Sequence, residues 1–172
     1  RLLARVRQEL RSLELAASIG EYYPNYQLVN YRELNTAGAD YAPILSEEFL
    51  YFTSGRASSS LYAATGTPYH QLFRTRAEGL KVDAGSIQPL PEFQNEEGLN
   101  QAALAISPDG NTLIYARGNS TSSKDYPETT LFASYFRGAG FTQPIWLPLN
   151  EEDSWWNSTP AFSVDGSELY FA

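Results

Sequence analysis

Leu104 and Ile106 alternate with small residues and run into Ser107-Pro108-Asp109-Gly110, after which a second apolar run, Leu113-Ile114-Tyr115, begins. Two alternating runs separated by a turn cluster predict a β-hairpin, and Gly110 supplies the positive φ that such turns require. Pro160–Ala172 repeats the pattern, with Asp165-Gly166 at the turn and Leu169, Tyr170 and Phe171 after it. Pro43–Thr53 is a third, shorter copy in which Glu47-Glu48 replaces the Asp-Gly turn. The repeated serines Ser46, Ser107 and Ser163 are spaced by about 56 to 61 positions, the signature of a repeat architecture. Upstream of the hairpins, Gln88-Pro89 then Asn95-Glu96-Glu97 match Gln143-Pro144 then Asn150-Glu151-Glu152, and Leu34-Asn35 matches Leu149-Asn150. Each unit is therefore a hairpin, a variable stretch, two further strands and an Asn-led loop.

The chain opens on a different period. Leu3, Val6, Leu10, Leu13 and Ala17 recur at three- and four-residue steps and predict an amphipathic helix over residues 1–20, capped by Gly20, with Arg1, Arg5, Arg7 and Arg11 off the apolar stripe. Tyr26–Glu33 alternates and is expected to be an outer strand, within 21–34, that closes a ring from the other terminus. Residues 35–99 then form a first four-stranded unit. Its strands are the Asp40–Ser54 hairpin, Tyr69–Arg76 and Ser86–Pro91, with Ala57–Pro68 a loop. Residues 100–156 form the second unit, with a polar excursion at Gly118–Glu128, strands at Thr130–Arg137 and Phe141–Leu147, and a loop at Glu151–Trp156. Residues 157–172 start a third. Antiparallel units of four strands are the blades of a β-propeller, so the expected fold is all-β, a partial propeller preceded by one helix. Propellers have roughly 4–8 blades, so this chain is expected to be a segment of a larger one.

SPDGNTLIYA and PAFSVDGSELYFA resemble the PD40 repeat, the WD40-like repeat of TolB-like propellers. Asp40-Tyr41-Ala42-Pro43, followed by Leu50-Tyr51-Phe52-Thr53-Ser54-Gly55-Arg56, resembles the first such repeat of Bacteroidota envelope proteins that join helical repeats, a PD40 propeller and a peptidoglycan-binding OmpA-like domain. The resemblance covers Tyr26 to Ala172 and departs from the pattern where the first copy lacks its Asp-Gly turn. It implies a non-enzymatic scaffold of the periplasm or outer membrane, working with other envelope proteins in a multi-subunit assembly. It also implies that the helix ends a preceding helical region.

Composition narrows the chemistry. Aromatics make up 14% of residues, with twelve Tyr and nine Phe, which suits half-buried strands. A net charge of −8 opposes phosphate binding, so nucleic acid is not an expected partner. There is no Cys, which removes thiolate chemistry, and no apolar run approaches the ~20 residues that span a bilayer. His70 is the only histidine, in an alternating stretch that reads as strand surface. No catalytic, cofactor or metal site is expected: Glu96-Glu97 and Glu151-Glu152-Asp153 recur with the repeat, as solvated loops do, and Ser58-Ser59-Ser60 reads as polar filler. Asp109, Gly110, Asp165 and Gly166 are expected to be structural turn residues. Trp146, Trp155 and Trp156 are the candidate partner-binding residues, set against packing between blades, because aromatics beside acids can stack on a sugar or anchor a protein. The alternatives are a glycan-binding module using Trp and Tyr faces, or the propeller of a larger hydrolase or peptidase.

Overall fold

A computed structural model describes residues 2–22, 29–46, 48–56, 58–91, 94–118, 129–138, 140–149 and 156–172. The chain divides into two compact units, Arg1–Tyr31 and Arg32–Ala172. In the first, helix α1 runs from Leu2 to Tyr22, two residues past the glycine expected to cap it. The alternation over 26–33 does not become a strand where it is described. Residues 29–31 are irregular and 32–34 form a turn, while 26–28 lie outside the described residues.

The second unit is built of antiparallel sheets. β1 (Asp40–Ser46), β2 (Phe49–Ser54), β5 (Gln71–Glu78) and β6 (Lys81–Pro89) form a four-stranded sheet in the order β1-β2-β5-β6. The Ser- and Ala-rich stretch before β5 is not all loop, because β3 (Leu61–Tyr62) and β4 (Thr67–Pro68) pair within it as a small hairpin. The second sheet holds β7 (Asn100–Ile106), β8 (Thr112–Gly118) and β9 (Thr129–Arg137). Its outer edge is split into β10 (Gly140–Phe141) and β11 (Ile145–Trp146), both paired with β9. Pro144 explains the split, since proline has no N–H to give a ladder. β12 (Ala161–Phe162) and β13 (Leu169–Tyr170) form the last hairpin.

Alternation along each strand sorts side chains onto two faces. Leu113, Tyr115 and Phe132 face the first sheet and join Tyr51, Leu72, Leu90, Leu104 and Ile106 in one core. Ile114, Ala116, Leu131 and Ala133 take the opposite face and pack against Phe162 and Leu169 of the last hairpin. Sheet, sheet and hairpin are thus layered in chain order. Each fully buried Leu in these layers contributes roughly 1.5–3 kcal/mol of apolar burial.

The hairpin turns carry the repeat in atomic detail. Gly110 N–H donates to the Ser107 carbonyl at 2.8 Å and Gly166 N–H to that of Ser163 at 2.9 Å. The two glycines have φ of 71° and 73°. Pro108 and Asp109 therefore occupy the centre of the turn and the glycine follows in the left-handed region, a longer loop than a two-residue Asp-Gly hairpin. Ser107 Oγ donates to Asp109 Oδ1 at 2.5 Å and accepts from Thr112 N–H at 2.9 Å. Ser163 Oγ repeats both bonds, to Asp165 Oδ1 at 2.6 Å and from Glu168 N–H at 3.0 Å. In the first copy Ser46 pairs directly with Phe49, so the loss of the Asp-Gly residues shortened the turn and left the strands in place.

A second recurring feature has no sequence signature. Ala42, Ala103 and Thr159 have φ of 52°, 50° and 48°. Each stands four positions before its repeat serine. In the two full sheets this residue lies at a register shift, between Tyr41 and Ile44 in β1 and between Ala102 and Ala105 in β7. The strand gains one residue against its partner there, which is a β-bulge.

Candidate functional site

Cross-strand pairs build the most distinctive side-chain cluster, and it occurs twice. Phe52 lies opposite Phe73, and Tyr115 lies opposite Phe132. Each pair stacks, with ring centroids 5.9 Å and 6.3 Å apart. A guanidinium covers each pair: Arg56 lies 4.8 Å and 5.4 Å from its two rings, and Arg117 lies 5.5 Å and 4.8 Å from its own. Desolvated cation–π contacts of this kind are worth on the order of 2 kcal/mol.

A carboxylate holds each arginine. Arg56 Nη2 donates to Asp40 Oδ1 at 2.8 Å and to the Leu34 carbonyl. Ser54 Oγ donates to the same carboxylate at 2.6 Å, and Thr36 N–H and Oγ1 donate to Oδ2 at 2.6 Å and 2.7 Å. Burial opposes ionisation of Asp40, but the bonds from Ser54, Arg56 and Thr36 outweigh it and hold the carboxyl at about 2. In the second cluster Arg117 Nη1 donates to Glu96 Oε2 at 2.9 Å and Nη2 to Tyr115 Oη at 2.8 Å. Burial dominates at Tyr115 and pushes its phenol up to about 12, against the pull of Arg117. Gln101, in the register position of Asp40, is fully buried and donates to the Glu96 carbonyl at 2.9 Å. Glu96 is therefore not only a solvated loop acid; it is the partner of a buried arginine. Both clusters tie the segment before the first strand of a sheet to the end of the second strand. Asn95 adds a neutral tie, bonding the N–H and carbonyl of Leu72 at 2.7 Å and 2.9 Å and the Leu90 carbonyl at 3.0 Å.

The surface chemistry gathers at one end. The β2–β5 and β8–β9 connections both leave from the end where β1 and β7 begin, and the two sheets meet there through Gln101 N–H on the His70 carbonyl at 2.9 Å. His70 is not on a strand. It precedes β5, is half-buried, and its Nδ1 lies 2.9 Å from Tyr41 Oη. The rings meet edge to face, 5.4 Å apart. Burial lowers the His70 pKa and raises that of Tyr41. Around the pair lie Gly55, whose added Cβ would sit 3.4 Å from His70 Cδ2, then Pro68 and its partner Leu61, itself exposed.

The tryptophans do not converge. Trp146 pairs with Phe132 and Trp156 bridges to Thr129, three positions apart on β9 and hence on alternate faces. They are 47% and 52% exposed. Trp155 lies outside the described residues, as do Glu151, Glu152 and Asp153. Asp109 and Asp165 are turn residues as expected, each accepting from the N–H two residues on at 3.1 Å. Hydrogen bonds from Ser107 and Asn111, and from Ser163 and Ser167, hold these two carboxyls at about 2.

Among the described residues no cluster of three or more His, Asp or Glu is placed to hold a metal ion. Among them, too, no helix is long and apolar enough to cross a membrane. No protein-family model, curated protein or solved structure matches the chain. The arginine clusters escaped sequence reading because Arg56 lies four residues beyond its ring and Arg117 only two. An arginine at or just past the end of the second strand of the first two hairpins was the available sign.

Proposed function

We propose that residues 32–172 are a segment of a β-propeller that acts as a non-enzymatic scaffold, holding protein partners at the cell envelope. The observation that carries this reading is that the ionisable side chains recur with the fold. Asp109 and Asp165 repeat one turn network, and Arg56–Asp40 and Arg117–Glu96 repeat one tie. Groups reused at each repeat maintain architecture, whereas an active site gathers different groups once. Stacked antiparallel sheets with an in-register repeat support the propeller. The envelope location rests on the PD40 resemblance.

Partner recognition belongs to the long-connection end, where Tyr41 on β1, Leu61 on β3 and His70 just before β5 stand. The half-exposed Trp146 and Trp156 favour a second reading, a glycan-binding module. One experiment separates these readings. Photo-crosslinkers placed at Tyr41 and at Trp156 in the source cells, followed by fractionation and mass spectrometry, should link Tyr41 to one envelope protein. Sugar adducts at Trp156 alone would favour the glycan reading. Turnover of a peptide or glycoside, abolished by changing one acid, would overturn the scaffold.

A further inference from the structure

We infer that helix α1 is a self-association element, pairing antiparallel with α1 of a second copy of this chain. The inference is independent of the scaffold reading. Leu3, Val6, Leu10 and Leu13 form a narrow stripe along the 21-residue helix and are 73%, 46%, 54% and 67% exposed. With Ala17 they fall on alternate three- and four-residue steps, the seam of a two-helix coiled coil rather than the broader face of a helix buried in a globular core. The helix is about 30 Å long, enough for a short two-helix contact.

Charge selects the occupant and its direction. Arg7, Glu9 and Glu14 border the stripe. Acids at the border oppose burial of the stripe in an anionic membrane, where the flanks need to be basic. A parallel pair would set Glu9 of one copy beside Glu14 of the other, twice. In an antiparallel pair aligned over the full helix, Leu10 meets Leu13 and Val6 meets Ala17, large against small. That alignment sets Arg7 of each copy beside Glu14 of the other and brings no like charges together. The seam and the charges thus agree on one geometry.

The chain has no cysteine, so the geometry can be read by disulfide trapping in the 172-residue protein. Val6→Cys and Ala17→Cys are made as separate proteins and oxidised alone and mixed. Cross-linking in the mixture, with little in either alone, is expected. Cross-linking within Val6→Cys or within Ala17→Cys would mean a parallel pair and overturn the proposal. Sedimentation equilibrium should show a reversible dimer, weakened at least about tenfold by Leu10→Asp, which leaves the exposed helix intact in the monomer. Arg7→Glu and Glu14→Arg should each weaken the dimer and restore it when combined. A protein that stays monomeric at every concentration, or that binds anionic vesicles through Leu10 without dimerising, would refute self-association.

Discussion

The Arg56 and Arg117 clusters solve one packing problem in two ways. Both place a guanidinium over a stacked cross-strand ring pair, and both use it to fasten the segment that leads into a sheet. In the first sheet the acid, Asp40, belongs to the first strand and bonds Thr36, Ser54 and Arg56 together. In the second the acid, Glu96, belongs to the loop, and the strand position is filled by neutral Gln101. The burial differs accordingly: the Arg56 and Asp40 side chains are 15% and 11% exposed, whereas Arg117 is 6% exposed and Glu96 50%. What the repeat preserves is the place of the positive charge over the rings. Where the negative charge comes from is free, because a carboxylate can reach that place from either side. A buried pair of this kind is weak as a source of net stability but costly to break.

Predictions follow that contrast, largest effect first. Arg117→Ala should destabilise by roughly 2–4 kcal/mol in denaturant unfolding, because it takes the donor from the buried Tyr115 hydroxyl and uncovers the Tyr115 and Phe132 rings. Arg56→Ala should cost about half as much, since Asp40 keeps its bonds from Ser54 and Thr36. An equal cost at both sites would dissolve the distinction. Gly110→Val and Gly166→Val should each cost about 1–3 kcal/mol through the strained positive φ, and at Gly166 a Cβ also meets Pro108 Cδ at 3.1 Å.

Acid should separate the two clusters. The Asp40 carboxyl is depressed from 3.8 to about 2, so its stabilising effect is complete above 3.8 and lost as pH falls between those values. Asp40→Asn should flatten that part of the thermal-midpoint profile, and an unaltered profile would show that Asp40 does not report the tie. His70 gives a smaller signal at higher pH. Its lowered pKa means that the folded state resists protonation, so stability falls as pH drops below 6.5, and His70→Gln should remove that slope. The smallest change is expected from Glu96→Gln with Gln101→Asp, which moves the acid of the second cluster to the strand position used in the first. Stability within about 1 kcal/mol of the parent would confirm that the two acid positions are interchangeable.

The hairpins and the order of the strands were legible because they rest on local signals: alternation, prolines and Asp-Gly turns. The small β3–β4 hairpin and the first half of β6 were not. Thr67-Pro68 lacks apolar alternation and Lys81–Ser86 offers only the short alternation of Val82 and Ala84, so their pairing is imposed by the neighbouring segment and by β5. The alternation near Tyr26 gave the opposite error at its described end, where Arg32 to Leu34 turn. His70 was misplaced because alternation says nothing of a ring drawn toward Tyr41 from another strand. Of the candidate surface, Trp146 and Trp156 were visible as residues, but their separation onto alternate faces depends on the register with β9.

The bulges at Ala42 and Ala103 make the first strand of each full sheet a ribbon with a phase reversal. Before the bulge in β7, Gln101 shares a face with Arg117; after it, Ile106 shares that same face with Leu113. Unbroken alternation from Gln101 would have sent Ala103 and Ala105 inward and turned Leu104 and Ile106 out. One extra residue thus works as a parity bit, letting a polar tie and an apolar core occupy one side of one strand. Deleting Ala103 would leave the hairpin its length and its turn, and would force a choice between the arginine tie at one end and the core at the other.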